Sequence, residues 1–279
     1  MNGPSTVPPG RAPIPILVYH QTVTPPAPDV PSWRLTTSPA TFARQLRTLR
    51  ALGYKGLSMR ALEPYLRGEK KGRVVGITVD DGYLNNFEHA LGVLRDVGFT
   101  ATSYVVSGQL GGSNVWDHPA GIPPARLMDV AQLRDWLAEG MDVGAHTRHH
   151  ADLLKCDDAA ARDEIAGSKR DLEDALGVDI RHFCYPYGQH RLAHARMARE
   201  AGYVTATTVV QTRVRRGDDL MLLPRISVVA ETTLPLLVAQ VATGIEELRQ
   251  LRRGVRPGDW TVRPVYADEP LNGTAKPLH

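Results

Sequence analysis

VVGITVDDGYLNNFEHALGVLRDVG, residues 74–98, carries the plan of the whole chain. Its first six residues are an apolar run of the kind a buried strand uses. The run breaks at Asp80-Asp81-Gly82-Tyr83, and an amphipathic segment then follows and stops at Gly98, as a helix does. Successive residues of a strand face opposite sides. At the strand end the backbone turns, and Gly82 permits an unusual turn, so both carboxylates can face one cavity. The alternative for the pair is that one Asp caps the following helix.

The same strand-then-helix unit recurs on both sides. IPILVY (14–19), ATSYVV (101–106), MDVGA (141–145), HFCYP (182–186), VTATTVV (204–210) and LLPRISV (222–228) are expected strands. Helices are expected at 38–53, 129–140, 158–177, 190–202 and 233–251. Ser38 and Pro39 suit a helix start, and Asp129 with Gln132 has capping-box spacing. Repeated units of this kind imply a parallel sheet covered by helices. About seven of them in about 250 residues suit an α/β barrel. No GxGxxG or GxxxxGK[ST] is present, which counts against the nucleotide-binding versions. The expected division is a disordered segment 1–13, one barrel domain over 14–253, and a proline-bearing tail 254–279 that is extended or disordered.

Composition removes several function classes. The 279 residues are 42% hydrophobic and 23% charged, ordinary for a globular protein. A formal charge of +3 without a long basic run does not favour nucleic acid as a partner. No apolar run approaches the ~18 residues of a membrane span. The first residues lack the apolar core of a signal peptide, so a cytoplasmic location is expected. Cys156 and Cys184 match no zinc-thiolate spacing and are expected as free thiols.

Unusual polar residues fall where the strands end: His20, Asp80 and Asp81, His146, and Tyr187 with Gly188. In barrel enzymes the active site lies at that end. In HTRHH (146–150), His146 and His150 are spaced to share one side of a turn or helix, and with one Asp they make a three-ligand site open to water. His149 is then a bystander or supports the ligands from behind. A solvated polar loop is the alternative for this stretch. A lone histidine such as His20 is ordinarily structural. Arg225, among apolar neighbours, requires a carboxylate partner if buried. Trp116 and Asp117 either line a cleft or anchor their loop.

At these residues the chain resembles the polysaccharide deacetylase family, the NodB-homology or carbohydrate esterase family 4 domain. TVDDGY (78–83) is similar to its TFDDG motif, HTRHH to its H-[ST]-x-x-H motif, and YPYG (185–188) to the end of its third motif. Order and spacing agree, and the likeness runs from about Ile14 to Val229. ILVYH and SKRDLEDALGVDIRHFCYPYG look like the branch found in bacterial glycan biosynthesis. The resemblance implies a NodB-like distorted (β/α) barrel of about seven parallel strands that binds a divalent metal, usually Zn2+. Fe2+, Co2+ or Ni2+ also suit two imidazoles and a carboxylate. It implies a metal-dependent N-deacetylase, a hydrolase of linear amide C–N bonds, acting on an N-acetylated sugar in a glycan or glycan precursor. Carried over by position, Asp80 is the general base, and Asp81, His146 and His150 hold the metal. Tyr187 offers its backbone N–H to the oxyanion.

The chain departs from the family pattern in three places. Cys184 stands where many members have the arginine that orients the base, and Arg225 is expected to replace it. No late Leu-x-His follows LLPRISV, so His20 is the expected general acid. The fourth motif, Asp-x-x-Asp-Trp, is not evident. Two other readings remain open here: hydrolysis of a cyclic amide or small acylated amine on the same scaffold, and a glycan-binding domain without catalysis.

Overall fold

The computed structural model of the chain describes residues 6–7, 12–215 and 217–252. In order these form β1 (Ile16–Tyr19), β2 (Gln21–Thr22), β3 (Thr36–Thr37), α1 (Pro39–Ala51), β4 (Lys55–Leu57), α2 (Met59–Leu66), β5 (Val74–Val79) and α3 (Leu91–Val97). There follow β6 (Thr102–Val105), α4 (Val130–Ala138), β7 (Asp142–Ala145), α5 (Asp158–Arg162), α6 (Ser168–Leu176), β8 (His182–Cys184), α7 (Leu192–Glu200) and β9 (Thr205–Thr207). The last elements are β10 (Ile226–Ser227), α8 (Leu234–Ala242) and α9 (Ile245–Arg252).

Seven parallel strands run in the spatial order β10-β1-β5-β6-β7-β8-β9, and β4 lies against the start of β5. The sheet curls into a half-barrel, the expected distorted (β/α) barrel. Its ends meet through one short segment. Leu223 bridges to Thr207 on one side, and Ile226 pairs with Leu17 on the other.

The period-2 alternation of the strands sorts residues into two layers. Leu17, Tyr19, Val75, Ile77, Val79, Val143, Ala145 and Phe183 face outward and pack with helix residues such as Phe42, Leu46, Leu49, Trp136 and Leu172. Ile16, Val74, Tyr104 and Cys184 face inward and pack with Leu62, Val214 and Leu223. Continuing the inward rows past the strand ends gives His20 on β1, Asp80 on β5 and His146 on β7. Gly144 belongs to the same inner row, where an added Cβ would stand 2.6 Å from the Tyr104 ring. Only a residue without a side chain lets Tyr104 cross the barrel there.

Local signals work as expected at several helix starts. Ser38 accepts from the Thr41 N–H, with Pro39 in the first turn, and Asp129 and Gln132 form a reciprocal capping box. Strands are shorter than expected, since only the segments with a paired neighbour count. The expected helix 84–98 starts at Leu84 and includes a one-turn π-helix over Asn86–Ala90 ahead of α3. The expected helix 158–177 is split by a second, Asp163–Gly167. The last expected helix breaks into α8 and α9 around Thr243 and Gly244. β4 and α2 have no counterpart among the expected elements. β4 is three residues long, and α2 carries Pro64 inside it. In the segment 1–13, Val7 is buried and donates its N–H to Asp218 O at 3.0 Å. The tail 254–279 lies outside the described residues.

His182 sits at the closed end of the barrel and is fully buried. Its Nδ1 pairs with Thr205 Oγ1 at 2.9 Å, while Nε2 has no hydrogen-bond partner. Burial, opposed by the Asp142 charge, pushes its pKa down from 6.5 to about 4. The unfolded chain therefore binds a proton here that the folded chain refuses. Stability is complete above about pH 6.5 and declines toward pH 4, by about 3 kcal/mol in total. Urea unfolding of the parent and of His182→Gln, at several pH values from 7 to 4, should show the parent losing stability more steeply. Parallel profiles would refute the assignment.

Candidate active site

At the C-terminal mouth of the barrel, Asp80 and Asp81 serve two different sets of neighbours. Asp80 continues the inner row of β5 beyond Thr78. Arg225 enters from the seam and grips it in a two-pronged salt bridge, Nη1 to Oδ1 and Nη2 to Oδ2, each 2.7 Å. The guanidinium also donates to Thr208 O at 2.9 Å and Thr78 Oγ1 at 3.0 Å. Its Nη2 lies 3.0 Å from Cys184 Sγ. Arg225 is fully buried and Asp80 nearly so. Burial pushes the Asp80 carboxyl up, but the Arg225 charge and its hydrogen bonds outweigh burial and hold it below the ordinary carboxylate value.

Asp81 turns away from its neighbour because its backbone is left-handed, φ 73°, with Gly82 following at φ 76°. Its Oδ1 lies 3.4 Å from His146 Nε2 and 3.3 Å from His150 Nε2. One donor atom from each of the three residues falls within 4.8 Å of the others, and all three residues are buried. The His146 Nδ1–H donates to Cys184 O at 2.8 Å. That bond fixes the tautomer and leaves Nε2 free to act as a ligand. Burial lowers the His146 pKa, but Cys184 and Asp81 outweigh it and hold it well above the ordinary value. The His150 pKa moves the other way, lowered by burial. One carboxylate and two imidazoles are the donor set of open zinc-type sites, so these residues fit a divalent cation.

The ligands sit on strained backbone. Among the described residues, four non-glycine residues have left-handed φ: Asp81, Thr147, His150 and Tyr187. All four belong to this site. HTRHH is therefore a turn and not a helix, and it projects His146 and His150 inward. Their rings lie edge to face, with centroids 4.8 Å apart. Trp116 stacks on the His150 ring at 4.6 Å, and the Tyr187 ring meets it edge-on at 4.6 Å. Tyr187 stays 37% exposed, which places it on the rim. Asp117 anchors the Trp116 loop, accepting from Tyr83 Oη at 3.2 Å and from Asn114 Nδ2 at 3.0 Å. Burial and then the Asp81 charge raise its pKa. His20 follows β1 and is half-buried, level with Asp80, since Tyr19 pairs with Val79. His149 points away from the ligands toward Glu164.

The mouth thus gathers the residues that the sequence offers as catalytic or metal-holding: His20, Asp80, Asp81, His146, His150, Tyr187 and Arg225. Thr78, Cys184, Tyr83 and Asn114 also support it. Alternation alone places Thr78 and Cys184 on the inner face. No local pattern marks Asn114.

A parallel half-barrel of this kind is the fold of solved NodB-like deacetylases. The chain belongs to the polysaccharide deacetylase family, whose sequence pattern matches residues 67–206. It is 25% identical over 219 residues to the protein YxkH of Bacillus subtilis (strain 168), covering 78% of this chain and 72% of that one. Its fold is similar to that of the deacetylase PplD of Streptococcus pyogenes, solved in complex with acetate. That match has a TM-score of 0.71 at 22% identity, over 82% of this chain and 98% of the other. IcaB from Ammonifex degensii superposes with a TM-score of 0.70 at 25% identity, over 82% and 97%.

Arg225→Met leaves the Asp80 charge buried without a partner and should cost about 3–5 kcal/mol in urea unfolding at pH 7. Adding Asp80→Asn should recover part of that loss. A single-variant cost below about 1 kcal/mol would mean that the pair is solvated.

Proposed function

We propose that the chain is a divalent-metal-dependent N-deacetylase that hydrolyses the N-acetyl group of an amino sugar in a glycan or glycan precursor. One observation carries this reading. A carboxylate fixed by arginine, Asp80, stands beside a separate set of one carboxylate and two imidazoles. A base and a cation-binding set side by side are what hydrolysis of an unreactive amide requires.

Asp81, His146 and His150 would hold the ion, which polarises the acetyl carbonyl and makes a water more acidic when bound. Asp80 accepts a proton from the attacking water. Arg225 keeps that carboxylate ionised at neutral pH and fixes its direction through both oxygens. The Tyr187 backbone N–H, set on a left-handed turn, is the donor for the developing oxyanion. A donor of this kind is worth about 3 kcal/mol of barrier. The amine must gain a proton before it leaves, and His20 supplies it from the neighbouring strand end. Trp116 and Tyr187 wall the His150 side and shield it from bulk water.

Acetate release should be followed on N-acetylated mono- and oligosaccharides, cyclic amides and small acylated amines, with and without a chelator. Turnover is expected on the N-acetyl sugars and should vanish with chelator. Turnover confined to the other amides, or untouched by chelator, overturns the reading. Asp80→Asn should lower kcat by about 10²–10⁴-fold, with metal content unchanged by elemental analysis. His146→Ala should lose the metal as well. An active Asp80→Asn enzyme would remove Asp80 as base.

A further inference from the structure

The turn that carries both imidazoles, HTRHH, includes two left-handed non-glycine residues, Thr147 at φ 63° and His150 at φ 56°. Such backbone persists only where the surroundings over-determine it. On one side the restraint comes from the loop after β6. Ser107 N donates to Thr147 O at 3.1 Å, and Gly108 N donates to Arg148 O at 2.8 Å.

On the other side stands Glu164, in the π-helical turn Asp163–Gly167. Its Oε2 accepts two successive backbone N–H groups, from Arg148 at 2.8 Å and His149 at 3.0 Å. Its Oε1 accepts from His149 Nδ1 at 2.6 Å. The Glu164 side chain is only 12% exposed. Arg148 ties the same turn to α6, with Nε and Nη2 on Asp171 at 2.8 and 2.7 Å and Nη1 on Asp163 at 2.8 Å. Its guanidinium lies against Gly167, where an added Cβ would stand 2.6 Å from Cζ. Asp163 is 57% exposed, so its pairing is weak. Glu164, shielded and accepting three hydrogen bonds, is the stronger restraint.

We propose that Glu164, assisted by Arg148, is a positioning residue for the metal ligands: it clamps the peptide planes on either side of Arg148 and so aims His150 at Asp81. The inference rests on the metal-dependent reading above. Glu164 touches neither ligand ring of the site and acts through the backbone between them.

The test is divalent-ion affinity of the purified full chain, read by competition between Zn2+ and a chromophoric chelator and by the visible spectrum of bound Co2+. Glu164→Ala should weaken Zn2+ binding by about 10–100-fold and alter the Co2+ spectrum. Glu164→Gln, whose amide oxygen can still accept both backbone N–H groups, should stay within about threefold of the parent. Glu63→Gln is the control for ordinary structural loss, because Glu63 pairs with Arg181 and Arg67 away from the mouth. It should lower Tm and leave the affinity unchanged.

Parental affinity in Glu164→Ala overturns the proposal, as does equal weakening in Glu164→Ala and Glu164→Gln. Should Glu164→Ala fail to fold, Arg148→Met provides the same readout, with weaker binding expected and parental affinity overturning the clamp. A parent chain that binds neither ion overturns the metal-dependent reading and the clamp with it. A parent that binds beside a variant that binds equally overturns the clamp alone.

Discussion

The buried pair of Arg225 and Asp80 is the interaction on which the rest of the molecule depends. Its partners lie 145 residues apart in sequence, one before the last barrel strand and one at the end of β5. Removing two charges from water costs several kcal/mol per ion, and only excellent geometry offsets it. Arg225 supplies that geometry with two parallel hydrogen bonds, and its Nε satisfies the carbonyl of Thr208 just past β9. A lysine could do neither, since it presents a point charge and not a planar fork. Closing the seam and fixing the proposed base are thus one event.

Three carboxylates within one mouth are shifted in different directions by their surroundings. Arginine holds Asp80 low, two imidazoles hold Asp81 lower still, and burial next to Asp81 raises Asp117. Enzymes separate the roles of like groups in this way. Here the separation starts from strand geometry. A regular strand leaves Asp80 on the inner row, and one left-handed residue turns Asp81 to a different set of partners.

Much of this was legible in the sequence, for physical reasons that differ by element. Apolar runs and helix caps have local signatures, so β1, β5, α1 and α4 could be placed. The polar residues at strand ends marked the mouth, since alternation and chain direction send them there together. Arg225 was legible as a charge in need of a partner, but only the curled sheet brings it to Asp80. The two π-helical turns were hidden, because one extra residue in a turn leaves the helical periodicity nearly intact. Glu164 was hidden with them, since a glutamate in a polar helix looks like any solvated side chain. β4 and α2 escaped because a three-residue strand and a helix containing proline lie below what pattern can separate from loop.

The left-handed residues set a limit on how robust this domain can become. Each costs of the order of 1–3 kcal/mol that the rest of the fold must absorb. All four described cases lie at the mouth, so the backbone strain and the proposed chemistry occupy the same few residues. The closed end of the barrel and the outer helices hold none of the left-handed non-glycine residues among those described. At the mouth, relaxing the backbone with glycine would loosen the very aim that the strain maintains.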